Sequence, residues 1–244
     1  MKFDLCKLWI LVFISPMLFI QCGNRGELSE GVLEYNLSMS FSDGEHLDGS
    51  DELMASLSEY ISSGKIKWIF SENRELLLQH FRIMDRPFSM MDIIHLEEQY
   101  HNRYISFMDQ NFKVEEDYSF IDRYLNEVSN DLDIVEDKNH TKEFFGLEGH
   151  WVEAYFANYE EEIRISGYIC SQIPMKLTFI QGYEYNPFDG AILALQITTG
   201  GVAIKYQLIN YEPAIDVRVF DITEENYELL DDNLMNLFDG VPGF

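Results

Sequence analysis

Residues 31–42, GVLEYNLSMSFS, decide the fold class: Leu33, Tyr35, Leu37, Met39 and Phe41 alternate with Glu34, Asn36, Ser38, Ser40 and Ser42. A period of two puts one set of side chains on each face of a strand, so this segment is a strand with one buried and one wet face. The same reading extends along the chain. Ile66, Trp68 and Phe70 alternate with lysines, Glu75 to Met84 follows less cleanly, and Tyr104–Met108 and Phe112–Val114 flank Asp109-Gln110-Asn111 as a hairpin. Six more strands are expected at His150–Ala157, Glu162–Cys170, Lys176–Tyr183, Ala191–Thr198, Val202–Tyr211 and Ile215–Phe220, with Thr199-Gly200-Gly201 turning between two of them.

Helical spacing interrupts this pattern three times. Ser50 caps a stripe of Leu53, Met54, Leu57, Tyr60 and Ile61 that ends at Gly64. Phe120, Ile121, Tyr124, Leu125 and Val128 form a second stripe, and Thr223 caps a third carrying Tyr227, Leu230, Leu234 and Leu237. Ser129 to Lys142 reads as a polar linker. Many antiparallel strands with about three helices predict an α+β domain, one curved antiparallel sheet with the helices covering its concave face. The domain spans residues 31–244.

The N-terminus sets the location. Lys2 and Lys7 precede an apolar run from Leu8 to Ile20, and Cys22 is followed by Gly23, Asn24 and Gly26. This run of thirteen residues, with Pro16 inside it, is too short for a membrane span, which needs roughly 20, but suits the core of a signal peptide. Residues 1–21 are therefore read as a signal peptide, Cys22 as a lipidated N-terminus and residues 22–30 as a tether. A diacylglycerol thioether contributes about 0.8 kcal/mol per buried methylene, enough for stable anchoring. Ile20 and Gln21 depart from the small residues a lipobox prefers, which leaves a plain cleaved signal or an uncleaved anchor as alternatives; in each case the body is exported.

The formal charge of −26 argues against nucleic acid and against a basic membrane-binding face. Of three cysteines, Cys6 leaves with the signal and Cys22 is the lipid site, so Cys170 stands alone and packing must hold the core without a disulfide.

Four blocks resemble the secreted proteins known as the GLPGLI family and their relatives of unknown function. TKEFFGLEGHWVEAY at 141–155 is similar to its "T-K-x-I-x-G-x-x-C-x-x-A" segment, YICSQIP at 168–174 to "W-Y-T-x-x-I-P", GYEYNPFDGAILAL at 182–195 to "G-P-x-x-x-x-L-P-G-L-I-L-x-L", and Phe220-Asp221-Ile222 with Tyr227 to "F-x-I-P-x-x-Y". Trp151 or Val152 stands near the family's cysteine, and Phe188-Asp189 replaces its Leu-Pro. The resemblance implies a half-barrel like that of the lipoprotein carrier LolA, an exported setting in Gram-negative bacteria, and no catalytic residues to carry over.

Chemistry-bearing motifs are missing from the sequence. It has no Gly-x-Ser-x-Gly elbow, phosphate-binding glycine loop or nucleotide fingerprint, and no two of its six histidines have the i, i+4 spacing of zinc metalloproteases. No metal, cofactor or catalytic residue is expected. Aromatic residues make up 14% of the chain, and many lie on strand segments. Trp68, Phe70, Trp151, Phe156, Phe179 and Tyr206 are the expected lining for an apolar ligand, weighed against their being simply core. Three readings stay open: a noncatalytic, lipid-anchored binder of a lipid, lipoprotein or other apolar ligand, facing the periplasm or surface of the outer membrane; a structural lipoprotein with a filled core that meets another envelope protein; and an enzyme of unrecognised type.

Overall fold

The computed structural model describes residues 28–41, 64–83, 86–116, 132–156, 163–180, 185–199 and 202–229. They form one open, curved sheet of twelve strands. In chain order these are β1 (Gly31–Phe41), β2 (Lys65–Ser71), β3 (Arg74–Ile83), β4 (Arg86–His95), β5 (Tyr100–Phe107), β6 (Gln110–Glu116), β7 (Leu132–Phe144), β8 (Leu147–Phe156), β9 (Arg164–Cys170), β10 (Ala191–Thr199), β11 (Val202–Glu212) and β12 (Glu228–Leu229). The spatial order is β12-β6-β5-β4-β3-β2-β1-β11-β10-β9-β8-β7. Two antiparallel meanders, β2–β6 and β7–β11, are therefore joined edge to edge by β1, which pairs with β2 on one side and β11 on the other.

Register defines two faces. Leu33 pairs with Trp68, Trp68 with Leu77, Leu77 with Asp92 and Asp92 with Arg103, and this row points to the face we call inner. The main core lies there, built from Leu33, Tyr35, Leu37, Ile66, Trp68, Phe70 and their neighbours across the sheet. A smaller core of Val32, Ile69, Leu76, Ile93, Tyr104 and Phe220 occupies the outer face. The central strands are thus covered on both sides, which is why β2 and β3 alternate less cleanly than β1.

The outer cover is the chain's own C-terminal strap, residues 213–229. A 3₁₀ turn at Val217–Phe220, capped by the Asp216 carboxylate on the Arg218 N–H, lowers Phe220 onto the outer core, with the Arg74 guanidinium 4.8 Å from its ring centroid. Glu224 then accepts hydrogen bonds from Tyr104 Oη at 2.6 Å and Lys113 Nζ at 3.1 Å, and Glu228–Leu229 add to β6 as a parallel strand.

The α+β expectation is overturned. Apart from 3₁₀ turns at Val217–Phe220 and Glu224–Asn226, the regular structure among the described residues is strand, and the helices expected at 51–63 and 118–128 lie outside those residues. Over its described part, Thr223–Leu229, the helix expected after Thr223 is replaced: Tyr227 is extended (φ −109, ψ 131) and stacks edge-on against Tyr104, and a strand follows, while Leu230, Leu234 and Leu237 lie outside the described residues. Tertiary anchoring of Glu224 and pairing with β6 outweigh the helical spacing there.

Two expected strands and one expected linker also change. Of the strand expected at Lys176–Tyr183, the described residues 176–180 are irregular, with one isolated bridge from Leu177 to Tyr185, residues 181–183 lie outside the described residues, and Ile215–Phe220 belongs to the strap. Of the polar stretch 129–142, the described residues 132–142 instead supply most of β7, a sheet edge. Its charges and the bulge between Asp137 and Thr141 are how an edge resists pairing with another chain, so polarity there marks an edge strand.

Candidate functional site: the covered inner face

Between β9 and β10 the chain leaves the sheet and crosses the inner face. Ile173, Met175, Leu177, Phe179, Ile180, Tyr185 and Phe188 are all buried by this crossing. Asn186 organises it: its backbone N–H donates to Lys176 O at 2.8 Å, its Nδ2 to Gly190 O at 2.9 Å, and its Oδ1 accepts from the Phe188 N–H at 3.2 Å. Gly190 returns the chain to β10 at φ +142, a conformation in which a side chain would collide with the Cys170 carbonyl.

Four of the six expected ligand-lining residues meet beneath this crossing. Trp68 stacks on Phe70 at 4.9 Å, while Phe179 lies 4.8 Å from Tyr35 and 5.0 Å from Tyr206. They are 0 to 4% exposed. Trp151 is not with them. Its register runs through Tyr168, Ala194 and Gln207 to Asn36, which alternates with the inner-facing Tyr35 and Leu37, so Trp151 sits on the outer face. There it stacks with His140 at 5.4 Å and donates to Glu153 Oε1 at 3.2 Å. Phe156 pairs in register with Leu132 at the end of β8, its side chain outside the described residues. Cys22 lies outside them too.

The sequence reading missed the polar groups of this face. Glu75, Asp92, His101 and Arg103 occupy inner-face positions of β3, β4 and β5, and three of them are at most 3% exposed. Glu75 receives the Lys176 N–H at 2.8 and 2.9 Å and the Leu177 N–H at 2.9 Å, fastening the crossing segment to β3. Burial pushes its pKa up to about 7, against the pull of these N–H groups. The Trp68 indole N–H approaches the same carboxylate without reaching hydrogen-bond geometry.

Asp92 shows the opposite balance. Burial would raise its pKa, but Arg103, whose Nε donates to Oδ1 at 2.7 Å, and His101, whose Nε2 lies 3.5 Å away, together hold it below its ordinary value. His101 Nδ1 is 2.9 Å from Tyr185 Oη, so Arg103, Asp92, His101 and Tyr185 form a chain from β5 to the crossing segment. Asp92, His101 and Tyr185 are buried and Arg103 is partly exposed, and the chain works as a second fastening. The signal in the sequence is a charge in an apolar register, as Glu75 is beside Leu77, Asp92 beside Met90 and Ile94, and His101 and Arg103 beside Ile105.

Two hydroxyls complete the site. Tyr35 Oη and Tyr211 Oη are buried and have no hydrogen-bond partner among the described residues, and burial pushes both pKa values up, so both stay neutral donors. Two open clefts, of about 550 and 480 Å³, lie at opposite ends of the sheet; neither is lined by any of the six expected residues. Among the described residues no group of three or more His, Cys, Asp or Glu is placed to hold a metal ion.

No family model matches this chain and no curated protein matches it, so the blocks at 141–227 remain a resemblance. Among solved structures, the crystal structure of the lipoprotein LppX of Mycobacterium tuberculosis is similar over 79% of this chain and 91% of that chain, at 10% identity and a TM-score of 0.33.

Proposed function

We propose that this chain is an exported, noncatalytic protein of a Gram-negative cell envelope, anchored to the outer membrane through Cys22, that takes up a lipid or similar ligand against its inner face. The supporting observation is the pair of unpartnered hydroxyls, Tyr35 and Tyr211, set in an aromatic layer with Trp68, Phe70, Phe179 and Tyr206. A buried donor left unmade costs about 1–3 kcal/mol, and an ester or carboxyl oxygen on an otherwise apolar molecule would satisfy it. Entry goes with displacement of residues 173–180 and 185–188, since these cover the layer.

A second reading is favoured by the near-zero exposure of the same aromatics: the inner face is permanently closed and the protein acts through its surface, against another envelope protein. Native mass spectrometry of residues 23–244 purified from cells separates the two. A retained lipid supports uptake, and bare polypeptide turns the assignment to the closed form. The anchor has its own test: Cys22→Ala is expected to abolish incorporation of labelled fatty acid, and unchanged labelling would remove the lipid attachment.

A further inference from the structure

The point at which the chain enters the sheet is fixed twice. The Leu28 N–H donates to Gln172 O at 2.8 Å, and the Leu28 side chain packs against the main core. β1 begins three residues later, at the end of the sheet that carries the β2–β3 and β4–β5 turns. The 550 Å³ cleft opens at this end, with Glu30, Glu72, Glu97 and Glu98 around Arg74 and His95. The β5–β6 turn at Met108–Asp109 lies at the other end, one strand length away, about 30 Å for a ten-residue strand such as β3.

Chain reach then limits orientation. Six peptide units join Cys22 to Leu28, and fully extended they span about 20 Å. At −26 overall, the molecule is not drawn by charge onto anionic headgroups, so the tether decides which end is near. We propose, resting on the lipid-anchor reading, that the acidic end holding Glu30, Glu72, Glu97 and Glu98 faces the phospholipid surface within tether reach, and stands off it when the surface is anionic. The far end, with the β5–β6 turn, points into the aqueous compartment.

The test uses the full lipidated protein in phosphatidylcholine vesicles containing a paramagnetic headgroup chelate, with a spin label at Glu72→Cys or Gln110→Cys. Cys170 is buried and Cys22 acylated, so labelling is directed to the introduced thiol. Relaxation enhancement is expected to be several-fold larger at position 72 than at 110. Adding phosphatidylglycerol at low ionic strength should reduce the signal at 72, and 0.5 M salt should restore it, because screening shortens to about 4 Å or less. Equal enhancement at both sites, or a larger effect at 110, in protein that floats with the vesicles would overturn the orientation while leaving the anchor intact. Protein that does not float with the vesicles would overturn the anchor and the orientation with it.

Discussion

Glu75 concentrates the energetics of the inner face in one carboxyl group. Its pKa is raised from 4.5 to about 7, so the folded state holds this proton more tightly than the unfolded chain does. Its contribution to stability is full below pH 4.5 and is lost as pH rises through 7, a difference of about 3 kcal/mol. Urea midpoints measured from pH 4.5 to 8 should therefore fall more steeply for the parent than for Glu75→Gln; parallel curves would show that this carboxyl does not titrate in that window. Asp92 acts in the opposite sense, contributing above its ordinary pKa and losing that contribution as pH falls. Tyr35 gives the functional counterpart. Tyr35→Phe removes an unpaired donor, so the ligand-free protein should be more stable by about 1 kcal/mol while its retention of co-purified lipid falls; a destabilised variant with unchanged lipid content would contradict the assignment. These positions were visible in the sequence as charges and hydroxyls within apolar alternation. Their partners were not, because Lys176, Leu177 and Tyr185 lie some 80 to 100 residues further along the chain.

At the scale of elements, the closest fit lies between β9 and β10. The register shifts between Ile192 and Ala194, bringing backbone against Gly167, where an added Cβ would run into the Ala194 carbonyl. Gly167→Ala is expected to cost about 2–3 kcal/mol, at the upper end for overpacking because backbone and not a flexible side chain must move. Thermal denaturation within a degree of the parent would refute that reading. β7 shows how a strand can hide from its sequence. Glu136, Asp137 and Lys138 look like a linker, yet Glu136 and Asp137 pair with β8, Lys138 stands in the bulge that follows, and the free edge is left charged. Replacing Glu136 and Lys138 with valine should leave folding intact and produce self-association by size-exclusion chromatography, since such a strand no longer repels a second copy; a persistently monomeric variant would mean that the bulge protects the edge unaided.

Across the whole molecule, β1 is the strand on which the sheet depends. It joins the β2–β6 meander to the β7–β11 meander, and its pairing with β11 spans most of the chain. Deleting residues 28–41 should leave two half-sheets without a shared core and abolish a single cooperative melting transition, whereas a calorimetric peak like the parent's would show the meanders to be independent. Local alternation in GVLEYNLSMSFS and in later segments was enough to establish strands, because a period of two is written residue by residue. The lipobox-like Cys22, the acidic charge and a core held without a disulfide are equally local readings. Only the tertiary structure decided that Thr223–Leu229 forms a strap, that Trp151 faces away from Trp68, and that residues 173–180 and 185–188 cover the aromatic layer. Each of these outcomes comes from contacts between residues far apart in the chain, and where such contacts bury side chains or pair strands they outweigh the spacing preferences of a short segment.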